Sequence, residues 1–448
     1  MYFISDFLRA GMPALIVVSA LLPAMPHALV TDALAADNTL SLAQAQRIAV
    51  ERSRQLYAQD AAVSASREMA VAAGRLPDPV LRLGIDNLPT DGVDRFNLTR
   101  DFMTQRRIGL SQEFPREEKR RLRFERYERE AERTQADKAV LHAAIRRDSA
   151  LAWLDRHYAE LAAGIIDEQI VAARLELQAA DSAYRGGRGS QAEVFAARSA
   201  LVMLDDRMSE TLRRGRMARA ALSRWVGDAA QWPLAGQPSV DVVAWSGPDL
   251  EAQLARHPQI MAIAGQEALA ATDVKLARAD RTPDWSAELS YSQRGPAYSN
   301  MISFGVSIPL QWDRANRQDR ELAARMALVE QVRAQREDAL RAQLAEARAL
   351  IADWDSGRER HARYERELIP LAAERSHALL AAYRGGKASL AEVLSSRRAE
   401  TELRLQALQL RAETAQAWAR LDFFMPQSEA GLVSVPAASG ARLSEETK

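Results

Sequence analysis

The side chains able to do chemistry in this chain are scattered rather than gathered. His142, His157, His257, His361 and His377 fall on helical stretches, and none has a second ligand at the spacing that a metal site requires. His377 lies near Glu374, a single pair on an exposed helix. Met103 and Met301 are isolated thioethers, too few to define a soft-metal site. No nucleophile elbow, phosphate loop, H-E-x-x-H helix or paired-carboxylate cleft occurs, so the sequence excludes the common enzyme classes and calls for no cofactor. Two carboxylates stand out by position. Glu193 and Glu392 each follow a serine by three residues, which places them at N3 of a capping box behind Ser190 and Ser389.

These two boxes belong to one repeated stretch. Residues Ala183-Tyr184-Arg185-Gly186-Gly187-Arg188-Gly189-Ser190 return 199 residues later as Ala382-Tyr383-Arg384-Gly385-Gly386-Lys387-Ala388-Ser389. In each, a glycine in the left-handed conformation stops one helix and the serine starts the next, so each copy reads as the tip of an antiparallel helical hairpin. The chain is a tandem duplication with a hairpin in each half.

Composition agrees with long helices. The 448 residues carry 60 basic and 60 acidic side chains, so no net charge draws the protein to nucleic acid. Aromatic residues are only 6% of the chain, and much of the apolar content is alanine, which suits closely packed helices. There is no cysteine, hence no disulfide and no thiolate chemistry. Residues 1–35, with Arg9, an apolar run broken by prolines, and Ala33-Leu34-Ala35, read as a secretory signal peptide.

The first repeat, residues 36–225, starts with a helix from Ser41 to about Gly74, closed by Pro77-Asp78-Pro79. Two alternating strands follow within about 79–114: Leu81, Leu83 and Ile85 against Arg82, Gly84 and Asp86, then Ile108 and Leu110 against Arg107, Gly109, Ser111 and Glu113. A hairpin spans about 116–225. Its outgoing helix has Leu151, Leu154, Tyr158, Leu161 and Ile165 at seam spacing, and its return carries Val194 to Trp225 in a heptad phase. Residues 226–248 form a linker. The second repeat, 249–424, copies the first: a helix from about Asp249 to Asp280, strands within about 284–310, and a hairpin of about 317–424. In these strands Trp285, Ala287, Leu289 and Tyr291 oppose Ser286, Glu288, Ser290 and Ser292. Likewise Ile302, Phe304, Val306 and Ile308 oppose Met301, Ser303, Gly305 and Ser307. Pro370 is expected to kink the outgoing helix. The return helix carries a heptad row from Val393 through Ser396 and Glu400 to Phe424. Residues 425–448 read as a disordered tail.

The fold class is therefore mainly α with a small β part: tandem-duplicated long helical hairpins plus four strands per chain. Four amphipathic strands cannot close a membrane barrel, which needs about eight, and open edges are not tolerated in hydrocarbon. Three chains would supply a 12-stranded outer-membrane β-barrel, and their hairpins a periplasmic α-helical barrel.

The order helix, strand pair, long hairpin, given twice, together with the two Tyr-x-x-Gly-x-x-Ser tips, resembles the TolC family of outer-membrane efflux channels. Leu76-Pro77-Asp78-Pro79, Gly84-Ile85-Asp86-Asn87-Leu88-Pro89, Leu98-Thr99-Arg100-Asp101-Phe102-Met103 and Gln112-Glu113-Phe114-Pro115 look like its heavy-metal (CzcC/CusC-type) branch. The resemblance implies a homotrimer embedded in outer-membrane lipid and extending into the periplasm. It further implies a periplasmic membrane-fusion adaptor and an inner-membrane, proton-driven resistance-nodulation-division transporter as partners. The chain would be the passive exit for heavy-metal cations (copper and silver, or cobalt, zinc and cadmium), without the acylated cysteine of some relatives. It implies that Glu392 and Glu193 form an entrance constriction. The adaptor would contact Tyr184, Arg185, Gly186, Gly187 and Ser190 in one tip, and Tyr383, Arg384, Gly385, Gly386 and Ser389 in the other. The competing readings are a duct of the same architecture for drugs or secreted proteins, and a periplasmic coiled-coil stalk with no pore.

Overall fold

The computed structural model describes residues 39–236, 238–243, 250–422 and 424, and those from Leu40 on form one unit. The expected signal peptide, part of the linker and the tail beyond Phe424 lie outside the described residues.

Helices and strands alternate as the duplication requires. Helices α1 (Leu42–Arg52) and α2 (Arg54–Ala73) lead into strands β1 (Val80–Asp86) and β2 (Gln105–Phe114), then the hairpin α3 (Glu117–Arg185) and α4 (Gln191–Val226). The second half runs α5 (Leu250–Leu254), α6 (Pro258–Ala279), β3 (Trp285–Gln293), β4 (Met301–Ser307), α7 (Gln318–Arg363), α8 (Ile369–Arg384) and α9 (Leu390–Asp422). At 1.5 Å per residue, the 69 residues of α3 make a rod of roughly 100 Å.

Three helices differ from the single rods expected. The stretch 41–74 breaks at Ser53, whose extended backbone (ψ 107°) ends α1 while its hydroxyl accepts the Leu56 N–H at 3.2 Å to start α2. The stretch 249–280 breaks before Pro258, which occupies the first turn of α6, where its missing N–H costs nothing. His257 caps that helix, its Nδ1 accepting from the Gln259 N–H at 3.2 Å. Between α7 and α8 the chain passes through a π-helical turn, Tyr364–Leu368, in which the Ile369 N–H reaches back five residues to the Tyr364 carbonyl. The wider turn sits next to Pro370 and adjusts the helix around the proline that the sequence expected to kink it.

The two repeats join in one antiparallel sheet of order β1-β2-β3-β4, with the β2–β3 pairing crossing between them. Rows run straight across all four strands: Leu83, Ile108, Tyr291 and Ile302, then Leu81, Leu110, Leu289 and Phe304. All eight of these side chains are exposed. Among the described residues, β1 and β4 each keep one edge without a strand partner.

The sheet is anchored to the rods at Asp284, directly after Pro283. Its carboxylate accepts from the Arg116 N–H at 3.1 Å and from the buried Lys119 ammonium at 3.0 Å. Beyond that joint, α3 on one side, and α7 continued by α8 on the other, run the whole length and change partners midway. The first rod packs against α2 and α6 and then against α4 and α9, and the second against α6 and then α9. The heptad phase of α4 holds: Ala197, Thr211 and Leu222 are buried, and Val194, Leu201, Leu204 and Met208 half-buried. In α3 the seam is shifted. Leu154 and Tyr158 are buried, but Leu161 is exposed, because Trp153, Ile166, Ile170 and Ala173 carry the contact instead.

The change of partners occurs in a belt where the largest core cluster lies, around Trp153, Leu154, Leu222, Leu254, Trp354, Trp418 and Leu421. Leu40 bridges Leu234 in parallel fashion, so the linker carries structure of its own. Three indoles donate to belt carbonyls: Trp153 to Leu40 at 2.9 Å, Trp354 to Val240 at 2.8 Å and Trp418 to Val242 at 2.9 Å. Replacing Trp153 with phenylalanine keeps most of the packing but leaves the buried indole partner one donor short, a cost of about 1–3 kcal/mol. A lower melting temperature for that variant in detergent is the expected outcome. An unchanged one would show that the belt does not depend on this bond.

Candidate functional site

Two places on the molecule can interact with something outside the chain: the hairpin tips and the sheet. At the first tip α3 ends in a Schellman motif. The Arg188 N–H bonds to the Ala183 carbonyl at 2.9 Å and the Gly187 N–H to the Tyr184 carbonyl at 3.0 Å, with Gly187 at φ +69°. The second tip repeats it with Lys387 to Ala382 at 2.8 Å, Gly386 to Tyr383 at 2.9 Å, and Gly386 at φ +71°. Gly186 and Gly385 stay at negative φ, so the second glycine of each pair makes the reversal.

Both capping boxes are formed. Ser190 Oγ accepts the Glu193 N–H at 3.2 Å, and Glu193 accepts the Ser190 N–H at 2.8 Å. In the second copy Glu392 accepts both the Ser389 N–H and its hydroxyl, each at 2.8 Å. These bonds, the backbone one foremost, hold the Glu392 carboxyl below the ordinary value of 4.5. The tyrosines differ: Tyr383 packs into a small core of Ala180, Ala197 and Leu390 that ties the two tips together, whereas Tyr184 is 45% exposed. Arg185 pairs with Asp181 at 2.6 Å.

A groove of about 900 Å³ opens between α3, α4 and α9 close to the tips. Beside it lies an ionic cluster that the sequence reading did not single out. Glu400 is almost completely buried and accepts from Arg397 at 3.3 Å and Arg404 at 2.9 Å. These arginines also reach Glu176 (3.7 Å) and Glu168 (3.5 Å) on α3, linking the hairpins. Burial raises the Glu176 carboxyl, and Arg397 opposes it. The signal was present, since a charge in the heptad row requires a buried counter-charge.

The sheet separates polar from apolar faces as the alternation demands. Opposite the apolar rows, Arg107 donates to Asp86 at 2.7 Å and Arg82 to Glu288 at 3.3 Å. Ser303 and Ser307 are open, but Ser290 and Ser292 are buried against their neighbours rather than facing water. The β1–β2 loop is folded on itself. Asn97 accepts the N–H groups of Thr99 and Arg100, Asp101 those of Met103 and Thr104, and Thr104 donates to the Asn87 carbonyl at 3.0 Å. Gly295 lies so close to the Thr99 carbonyl that a Cβ would overlap it. Arg294 bonds to the Phe102 carbonyl, joining the two loops.

Three of the histidines have structural contacts, His257 as the α6 cap described above. His157 stacks on Trp153 and His361 lies 3.6 Å from Glu365. Among the described residues no group of three or more ligating side chains could hold a metal, and no helix is long and apolar enough to cross a membrane.

Two outcomes are expected. A valine at Gly187 or Gly386 places a β-branched residue at positive φ, costs more than about 1 kcal/mol, and exposes that tip to protease. Equal protease resistance would overturn the assignment. The Glu392 cap has its folded pKa depressed, so its contribution is complete above pH 4.5 and is lost as pH falls through the folded value. Protection of the Ser389 and Glu392 amides against hydrogen exchange, taken relative to the intrinsic rate at each pH, should therefore fall in acid, and Glu392→Gln should remove that dependence.

No protein-family model matches the chain, and comparison with curated proteins returns no match. Solved structures do. The outer-membrane channel OprN superposes with a TM-score of 0.72 at 19% identity, covering 86% of this chain and 89% of that one. CusC gives 0.72 at 16%, covering 87% and 92%. The open state of the Neisseria gonorrhoeae outer-membrane channel MtrE gives 0.68 at 16%, covering 86% and 88%. The chain shares the fold of these channels, the fold that the resemblance to the TolC family implies.

Proposed function

We propose that the chain is one subunit of a homotrimeric outer-membrane exit duct in a tripartite efflux pump. The observation that carries this reading is the sheet: four strands of 7 to 10 residues, two full rows of exposed apolar side chains on one face, and two edges unpaired among the described residues, on top of long helical rods. Strands of this length suit a thin bilayer when tilted, and backbone edges in hydrocarbon must be paired. Three copies satisfy every edge in a 12-stranded barrel, and the same symmetry places six hairpins around a periplasmic channel.

The duct is passive, so an inner-membrane proton-driven transporter supplies the energy and a periplasmic adaptor reaches the tips. Heavy-metal cations are the proposed cargo on the resemblance of the first strand pair and its loop. The motif residues Asp86, Asn87, Asp101 and Met103 fold the loop, consistent with a passage that releases its cargo instead of binding it. Glu392 and Glu193 form the proposed constriction. Three copies of each would make rings of carboxylates that favour cations.

Phe304→Arg should place a charge in lipid at a cost of about 2–4 kcal/mol near the midplane and abolish inserted trimer. Wild-type insertion would overturn the barrel. Cysteines at Ser303 and Ser307 should react with a membrane-impermeant thiol reagent while those at Ile302 and Val306 do not. Equal labelling would mean a slipped register. In planar bilayers Glu392→Gln should lower cation selectivity without changing adaptor binding, and Gly386→Val should do the reverse. Restored tolerance to drugs rather than to metal salts in a deletion strain would reassign the cargo.

A further inference from the structure

A pocket of about 420 Å³ lies at the rim of the sheet, where the end of α2 meets the start of α3. It is lined by three guanidiniums, Arg75, Arg120 and Arg121, by one carboxylate, Glu117, and by the apolar side chains Val71 and Phe124. Among the described residues the side chains of these four charged groups form no hydrogen bond or ion pair. Arg120 Nε is in addition buried without an acceptor, a condition that folded proteins avoid. With Glu117 ionised, three positive charges still meet one negative. Glu118 and Asp78 are exposed and do not line the pocket, and Asp280 and Asp284 are taken by Lys119. The second repeat handles the same place differently. Arg281 precedes Pro283-Asp284 as Arg75 precedes Pro77-Asp78, and there Asp319, in the first turn of α7, pairs with Arg281 at 2.9 Å and with Arg314 at 3.5 Å. In the first repeat no carboxylate does this, which leaves its guanidiniums open to an acceptor from outside the chain.

We infer that this pocket holds the headgroup of an anionic glycerophospholipid of the periplasmic leaflet, its phosphodiester on the guanidiniums and its glycerol end against Phe124 and Val71. This rests on the exit-duct reading, which sets the sheet in lipid, and adds the lipid chemistry bound at its rim. The position fits. Phe114 and Trp285 stack at 4.4 Å at the end of the apolar face nearest the rods, where aromatic girdles mark a membrane boundary. Gln112 alternates with Leu110 and Phe114 on that face and donates to the Pro77 carbonyl at 2.8 Å, so the turn carrying Arg75 passes beneath it. Arg120 and Arg121 lie roughly 5–6 Å along α3 from Glu117. The headgroup layer on each side of a hydrocarbon core is roughly 5–7 Å deep. Guanidiniums grip phosphate through two parallel N–H donors, and a phosphodiester oxygen also supplies the acceptor that Arg120 Nε lacks. Free phosphate could meet the same donors but would leave Phe124 and Val71 exposed, so the two apolar side chains favour the lipid.

The test uses the full chain, purified as its native assembly in mild detergent. It is titrated with phosphatidylglycerol, phosphatidylcholine, soluble glycerophosphoglycerol or inorganic phosphate, and read by native mass spectrometry and by melting temperature. The expected result is retained phosphatidylglycerol, bound about tenfold or more tightly than phosphatidylcholine, as several basic side chains at a lipid surface imply. Melting temperature should rise with phosphatidylglycerol and stay unchanged with the two soluble compounds. The triple variant Arg75→Gln/Arg120→Gln/Arg121→Gln should lose both the retained lipid and that rise. Arg121→Gln alone, at an exposed position where folding is not at stake, should weaken retention by a smaller factor. Equal retention of the two lipids, or retention unchanged in either variant, would overturn the inference. So would equal stabilisation by glycerophosphoglycerol or inorganic phosphate, which would make the pocket a plain anion site. Single-channel current from the same preparation separates the two readings. A conducting assembly without preference for phosphatidylglycerol removes only the lipid site, whereas that preference without any conductance removes the duct.

Discussion

Backbone hydrogen bonding at the edges of the small sheet is the constraint on which the rest of the structure depends. β1 and β4 end a sheet whose one face carries two adjacent rows of exposed apolar side chains, with Ile302 at 77% and Phe304 at 71% exposure. Such a sheet is unfavourable in water because of its face and unfavourable in lipid because of its edges. Only further strands in the same register resolve both costs together. The β2–β3 pairing shows how one repeat's strands accept the other's, and the proposed assembly extends it by setting the β1 edge of a second copy against β4.

The helical part solves a different problem, that of holding two rods of this length in register. Each rod changes neighbours halfway, and a helix pair that simply exchanged partners would leave the ends of four helices unsupported. The belt fills that gap. Leu40 and the segment at Val240 and Val242 run across the rods, and their carbonyls are claimed by three buried indoles. An indole is suited to this place because it brings a large apolar surface together with one donor. The π turn at Tyr364–Leu368 lies just past the belt on the second rod and accommodates Pro370.

Near the tips the two hairpins are held by charge as well as by packing. Glu400 sits in a seam otherwise made of small and apolar residues, and its two arginines extend to α3. A buried carboxylate is costly unless paired on both sides, as it is here, so the cluster favours one arrangement of α3 against α9. The capping boxes work at shorter range, fixing where each return helix begins.

Much of this was legible from local pattern. Tandem duplication, the strand faces, the left-handed glycine in each tip and the capping boxes all depend on residues within a few positions of one another. Periodicity and turn chemistry report such features directly. The heptad row of α9 was legible too, including the position of Glu400. The breaks at Ser53 and Pro258 had local signals, a cap and a proline, that helical periodicity on either side concealed. What the tertiary structure alone decided involves partners far apart in the chain. The sheet joins the repeats through β2 and β3, Trp153 bonds to Leu40, Arg397 meets Glu176, and Ser290 is covered although the alternation only puts it on the polar face. The seam of α3 moved away from Leu161 for the same reason. A helix facing different neighbours along its length has no single buried stripe, and which stripe is buried at each level is set by the helices that pack there.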